Sequence, residues 1–316
     1  MPHCASACIG PARSHDAAPL APSPRRVHLA LLTVSILFGA NYVFTKQLLA
    51  NVPASAWVVF RIAAAAVLLV PIAFGLGRGR VPLRSLPALA LAALLGVVLN
   101  QVLFTEGMAL TTPDHSAIIN ACIPVWTLLL AAAFGQERLS PRKLVAVALA
   151  LAGVACLLRL DEQITSGTGL SPEQALGDVL TLLNGVAFAL HLILMRRVGA
   201  GLDPLRTTGV MFAFAILIVP IYGGSAMTMA NVSACLEPPT LWYALYGILF
   251  ATVTTYLLNT WALRHTRSSQ VALYINVQPL VAVVVATALG QPLPDWRFGV
   301  AFAGVSAGLW LQARAQ

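Results

Sequence analysis

The sequence predicts an all-α polytopic membrane protein with ten transmembrane helices arranged as two inverted repeats of five. Three observations predict it. Of 316 residues, 59% are hydrophobic and 9% charged, with a mean hydropathy of +0.83. Ordinary soluble domains carry roughly 25% charge, and so few charges cannot cover a water-facing surface. Apolar runs of about 20 residues recur along the chain, each long enough to cross a hydrocarbon core of roughly 30 Å. Helices satisfy every backbone N–H and C=O within the segment, which lipid demands. Finally, the second half of the chain repeats the first.

The first 28 residues are rich in Pro and Ala, with Arg13, Arg25 and Arg26 and no apolar run, and are expected to form a disordered cytoplasmic tail. The first repeat then spans residues 29–160, with helices at about 29–49, 54–76, 86–108, 115–135 and 143–160. A loop follows at 161–177, expected on the outer side. The second repeat spans 178–313, with helices at about 178–195, 207–224, 239–263, 268–289 and 297–313. Short basic separators such as "RGRVPLRS" and "RHTRSS" punctuate the spans.

Basic residues orient the chain, because cytoplasmic loops accumulate Lys and Arg. With both termini inside, only Arg159 and Arg297 fall outside and only Lys46 and Arg61 within spans. Asp114, Asp161, Glu162, Glu173, Asp178, Glu237 and Asp295 fall on the outer side. The net charge of +8 is thus an orientation signal, and no separate basic patch speaks for nucleic acid.

The repeat is read residue by residue. "FGANYVFTKQL" aligns with "FALHLILMRRV", pairing Phe38 with Phe188, Asn41 with His191 and Lys46 with Arg196. Pro53 meets Pro204, "VPI" at 70–72 meets "VPI" at 219–221, Pro124 meets Pro279, and "GQ" at 135–136 meets "GQ" at 290–291. Five spans per half is an odd number, so the second half starts from the opposite side of the membrane. Exchange of conformation between two such halves is the geometric basis of alternating access.

These residues resemble the drug/metabolite transporter superfamily, in particular its EamA-type members with two repeats of five helices. The resemblance covers about residues 29–313. It rests on "FGANYVFTKQLL" followed by "FRIAAAAVLL", on "ALTTPDHSAIINACIPVWTLLLAAAFGQERLSPRKLVAVALALAGV" with its Gly135, Glu137 and Leu139, and on "ALRHTRSSQVALYINVQPLVAVVVATALGQPL". The second half departs from the pattern at Pro292, where the family usually has Glu. The resemblance implies that the first, third and fourth helices of each half line a central cavity. It thereby places Asn41, Asn120, His191, Asn259, Tyr274, Asn276 and Gln278 on or near the lining as substrate-cavity candidates. Amides, a hydroxyl and an imidazole hydrogen-bond a polar solute without an unpaired charge. The same side chains also serve interhelical hydrogen bonding.

Lys46, Arg61 and Glu106 are the ion-pair or coupling candidates, since a charge in a span faces the bundle interior or water. Arg61 lies roughly 10 Å below the outer boundary and is expected to pair with Glu106, with direct binding of an anionic substrate group as the competing role. Glu106 is the acid to consider for proton coupling. Lys46 is expected to reach water or Glu106, and Asn41 to face His191 across the cavity. Tyr256, Trp261 and Trp310 are expected to pack or anchor at interfaces. Gly304 and Gly308 predict a close helix contact, within the chain or in a homodimer.

Neither a P-loop nor an HExxH pattern appears, and the longest loop is too short for a domain, so enzyme chemistry is not expected. No cofactor is expected either, and Cys4 and Cys8 lack the second ligand pair of a metal site. The partners expected are a small-molecule substrate and the lipid bilayer. The function expected is a secondary transporter that exports or exchanges small polar metabolites such as amino acids. The alternatives are a sugar, nucleotide-sugar or drug-like substrate on the same fold, and a channel.

Overall fold

The computed structural model describes residues 23–135, 140–157, 170–199 and 201–314, and every regular element among them is helical. The first half contains α1 (Pro24–Leu49), α2 (Ala54–Leu76), α3 (Leu83–Leu110), α4 (Pro113–Ala133) and α5 (Pro141–Leu157). The second contains α6 (Pro172–Val198), α7 (Pro204–Gly223), a short α8 (Met229–Leu236), α9 (Thr240–His265), α10 (Val271–Ala288) and α11 (Trp296–Arg314). Eight of these, all but α5, α8 and α11, are long and apolar enough to cross a membrane. Of the ten helices expected, α5 and α11 therefore stand apart, with 17 and 19 residues; they pack tightly on each other.

Prolines open α1, α4, α6 and α7, where a missing N–H costs nothing and the fixed φ suits a first helical turn. That chemistry moves two boundaries. Residues 24–28, expected in the disordered tail, are helical from Pro24 onward, and His28 engages the Tyr274 hydroxyl. The sixth helix starts at Pro172 rather than 178, because Ser171 caps it by accepting from the Gln174 N–H at 3.2 Å. The stretch before the eighth span, expected as loop, folds into α8 behind the Thr228 cap and buries Cys235. Cys4, Cys8, Arg13, Glu137, Leu139, Arg159, Asp161 and Glu162 lie outside the described residues.

Helices pair across the halves as a two-fold relation requires. The second helices, α2 and α7, pack together, as do the fifth, α5 and α11. The first helix of each half lies against the third and fourth of the other: α1 on α9 and α10, α6 on α3 and α4. Gly304 and Gly308 sit on the backbone of α5 near Leu149, Gly153 and Ala146, so the small-residue contact is made within the chain. Ser306 between them completes a GxSxG spacing, but it lies inside a continuous helix without the strand-to-helix turn that exposes a nucleophile.

Two irregularities recur at related positions. α3 widens into a π-helix at Leu94–Leu99, and α9 does so at Tyr246–Thr254. α4 breaks at Ala121 and Cys122 ahead of Pro124, and α10 tightens to a 3-10 turn at Tyr274–Val277 ahead of Pro279. A helical proline lacks an N–H and clashes with the carbonyl four residues back, here Asn120 and Ile275. The backbone is thus irregular where the two halves meet, which membrane interiors tolerate only around a cavity or where protein groups fill the gaps.

Candidate functional site

A cavity of about 50 Å³ lies among α1, α2, α3, α4, α6, α9 and α10. α3 contributes Asn100, Gln101 and Phe104, α1 contributes Phe38 and Tyr42, and α6 contributes Asn184 and Phe188. Arg61, Asn120, Tyr256 and Gln278 come from the four remaining helices. By the roughly 10–15 Å³ that one water needs on this measure, the space holds a few waters and no metabolite. The cavity is occluded.

It is closed at both ends. The end at which the chain enters α1 is called the near end, and the opposite one the far end. Toward the far end, Tyr42, Phe104, Met108, Ala117 and Ala282 form a buried layer. The Tyr42 hydroxyl donates to Gln278 Oε1 at 2.9 Å, tying α1 to α10 across it. Beyond that layer opens a vestibule of about 330 Å³, lined in part by Lys46, Asp114, Ala282 and Gln291. Toward the near end only a void of about 20 Å³ remains, beside Ser35, Asn259 and Tyr274. Ser35 Oγ donates to the Tyr274 carbonyl at 2.6 Å and closes α1 onto α10 there.

The three charged candidates separate. Arg61 is 2% exposed and donates from Nε to Thr252 Oγ1 at 2.6 Å and from an Nη to the Ala251 carbonyl at 3.1 Å. Both acceptors lie in the π segment of α9, and the guanidinium sits 5.9 Å from the Trp57 ring centroid. Glu106 instead accepts from the Tyr222 hydroxyl of α7. The expected Arg61 to Glu106 pair is absent because the arginine turns toward a hydroxyl and a carbonyl of the widened helix. Lys46 does not reach Glu106 either: its Nζ donates to the carbonyls of Met108, Ala109 and Thr111 at 2.9, 3.1 and 2.7 Å. A cation at a helix C-terminus satisfies orphan carbonyls and opposes the helix dipole. Its counterpart Arg196 does the same for α9, donating to the Leu263 carbonyl at 3.0 Å.

The amide and imidazole candidates divide. Asn120 and Gln278 line the central cavity, while Asn259 and Tyr274 line the adjoining void, which shares Gln278, Phe38 and Phe188 with it. Asn276 lines neither, and its Oδ1 has no partner among the described residues. Asn41 and His191 also stay off the lining, against expectation. His191 Nδ1 donates to the Ala92 carbonyl at 3.0 Å, and its ring lies on Gly96, where any Cβ would collide with it. Asn41 approaches Gly247, whose own Cβ would strike Trp57. The repeat-related pair thus fills repeat-related gaps beside two π segments. Tyr256, expected as packing, lines the cavity and donates its hydroxyl to the Gly96 carbonyl. Asn184 Nδ2 donates to the Asn100 carbonyl at 2.8 Å. Asn100, Gln101 and Asn184 were legible as amides inside apolar runs; Tyr42 required the rotation of α1 by one residue from Asn41.

One of the acids expected on the outer side is buried. Asp178, 1% exposed, accepts from Thr111 Oγ1 and lies 3.1 Å from His115 Nδ1, joining the start of α6 to the turn between α3 and α4.

A solved crystal structure covers 92% of this chain and 97% of its own with a TM-score of 0.63 at 16% identity, a likeness of fold. The transporter YyaM of Bacillus subtilis is 25% identical over 273 residues, covering 84% of this chain and 87% of that one. The inner membrane transporter YedA of Escherichia coli K12 is 27% identical over 270 residues, covering 83% and 82%. A WAT1-related protein of Arabidopsis thaliana is 23% identical over 259 residues, covering 71% and 70%. The EamA-like transporter family matches residues 25–159 and 175–313, nearly the whole chain. The chain belongs to the EamA-like transporter family and is a multi-pass membrane transporter, not an enzyme.

Proposed function

We propose that the protein is a secondary carrier of the cytoplasmic membrane that exports or exchanges small polar metabolites, amino acids first among them. One observation carries this reading: a cavity lined by amides, Arg61 and aromatic rings sits where the two repeats meet, with packed side chains at both ends. A channel needs a continuous path, whereas a carrier needs a closed intermediate between two open ones. Both termini lie on the cytoplasmic side in this reading, so the far end faces outward. The basic loops support that orientation, and the Escherichia coli relative is named as an inner membrane protein.

Counterflow in proteoliposomes tests the carrier. Vesicles preloaded with unlabelled substrate should transiently accumulate labelled substrate above equilibrium; a pore would only equilibrate it. For orientation, alkaline phosphatase fused to the C-terminus should be inactive in cells, and an active fusion refutes it.

A further inference from the structure

We infer that the transported solute carries a single carboxylate, and that Arg61 is its counter-ion in the central cavity. This assignment rests on reading that cavity as the transport site.

A guanidinium almost removed from water is strongly disfavoured unless paired. Arg61 has no carboxylate partner among the described residues, and only two of its donors are engaged, with Thr252 and Ala251. The cavity it lines also holds unmet polar atoms. Gln101, 3% exposed, lies against the Tyr256 side chain with no partner for its Oε1; Asn120, 2% exposed, has a free Oδ1. Arg61 and Gln101 both lie beside Tyr256, so the two side chains face one region. In a well-packed interior leaving such atoms unmet is unfavourable, and a ligand with matching groups removes that cost.

The matching group is a carboxylate. Its two oxygens accept the parallel N–H groups of a guanidinium, and its one charge balances one cation. A phosphate dianion would leave a charge unpaired in the same space. The free oxygens of Gln101 and Asn120 accept N–H or O–H groups elsewhere on the solute, and Phe38, Phe104 and Phe188 surround any apolar remainder.

The test uses full-length protein in nanodiscs and a thermal-shift panel of L-amino acids, 2-hydroxy acids and benzoate, each beside its carboxamide. At least one acid should raise Tm, with its carboxamide binding at least tenfold more weakly. Arg61→Gln should weaken that acid at least tenfold and Arg61→Lys less. Gln101→Glu, which adds a carboxylate to the same cavity, should fold with unchanged or higher Tm and still lose at least tenfold in affinity. Acids and carboxamides binding equally, a panel with no acid ligand, or wild-type affinity in a folded Arg61→Gln protein would each overturn the assignment. Binding without counterflow would overturn the carrier and leave the carboxylate site standing. Counterflow of a neutral solute that ignores Arg61→Gln would do the reverse.

Discussion

At the scale of single residues, a polar side chain in a lipid-bound bundle is defined by the backbone atom that it meets. Lys46 meets three carbonyls at the end of α3. Lys46→Met should therefore lower stability by about 2 kcal/mol, the upper range for a cation at a helix C-terminus, with Lys46→Arg recovering most of it. Thermal unfolding of the purified variants measures this, and an undisturbed Lys46→Met protein would refute the capping role. His191 meets the carbonyl of Ala92 and the flat face of Gly96. Gly96→Val should cost about 1–3 kcal/mol through overpacking, and pairing it with His191→Ala should restore part of that loss. Additive effects in this double-mutant cycle would show that the two do not touch.

At the scale of helices, the π segments of α3 and α9 decide where the polar side chains go. A widened turn presents carbonyls away from the regular ladder, and each receives a donor from elsewhere: Tyr256 on Gly96 and Arg61 on Ala251. Tyr256→Phe keeps the ring and removes one such donor, so it should destabilise by about 1–3 kcal/mol, the cost of an unmet buried carbonyl. Equal melting temperatures would show that the carbonyl finds another partner. The same segments explain which residues were legible. Arg61 was visible as a cation in a span, but its acceptors were not, because nothing in "YGILFATVT" distinguishes a wide turn from a regular one. Asn41 and His191 align across the repeat, yet one residue of helical phase separates Asn41, against Gly247, from Tyr42, on the cavity.

At the scale of the whole molecule, the two ends of the cavity differ in how firmly they are closed. The far end keeps a vestibule of about 330 Å³ above one packed layer, and the near end only a 20 Å³ void. Opening at the far end thus means separating α1 from α10 at Tyr42 and Gln278. In a protein without native cysteines, Ala282→Cys lies buried in that layer at 1% exposure and should react slowly with a membrane-impermeant maleimide. Adding Tyr42→Phe should raise the labelling rate severalfold, since it removes the cross-layer hydrogen bond. An unchanged rate would mean that the layer is held by packing alone.

The sequence by itself determined the solvent, the helices and the two-fold plan. Hydrophobic run length, loop charge and a repeat of related residues are one-dimensional quantities that lipid translates directly into spans. Family membership followed from the same stretches. Only the tertiary structure decided the company of each polar residue: Arg61 with a π segment rather than Glu106, Lys46 with helix-end carbonyls, Asn41 and His191 at helix contacts, Gln101 and Tyr256 at the cavity. The physical reason is that partner choice depends on helix rotation and local winding. A change of one residue in phase turns a side chain through about 100°, and hydropathy does not record which way it turned.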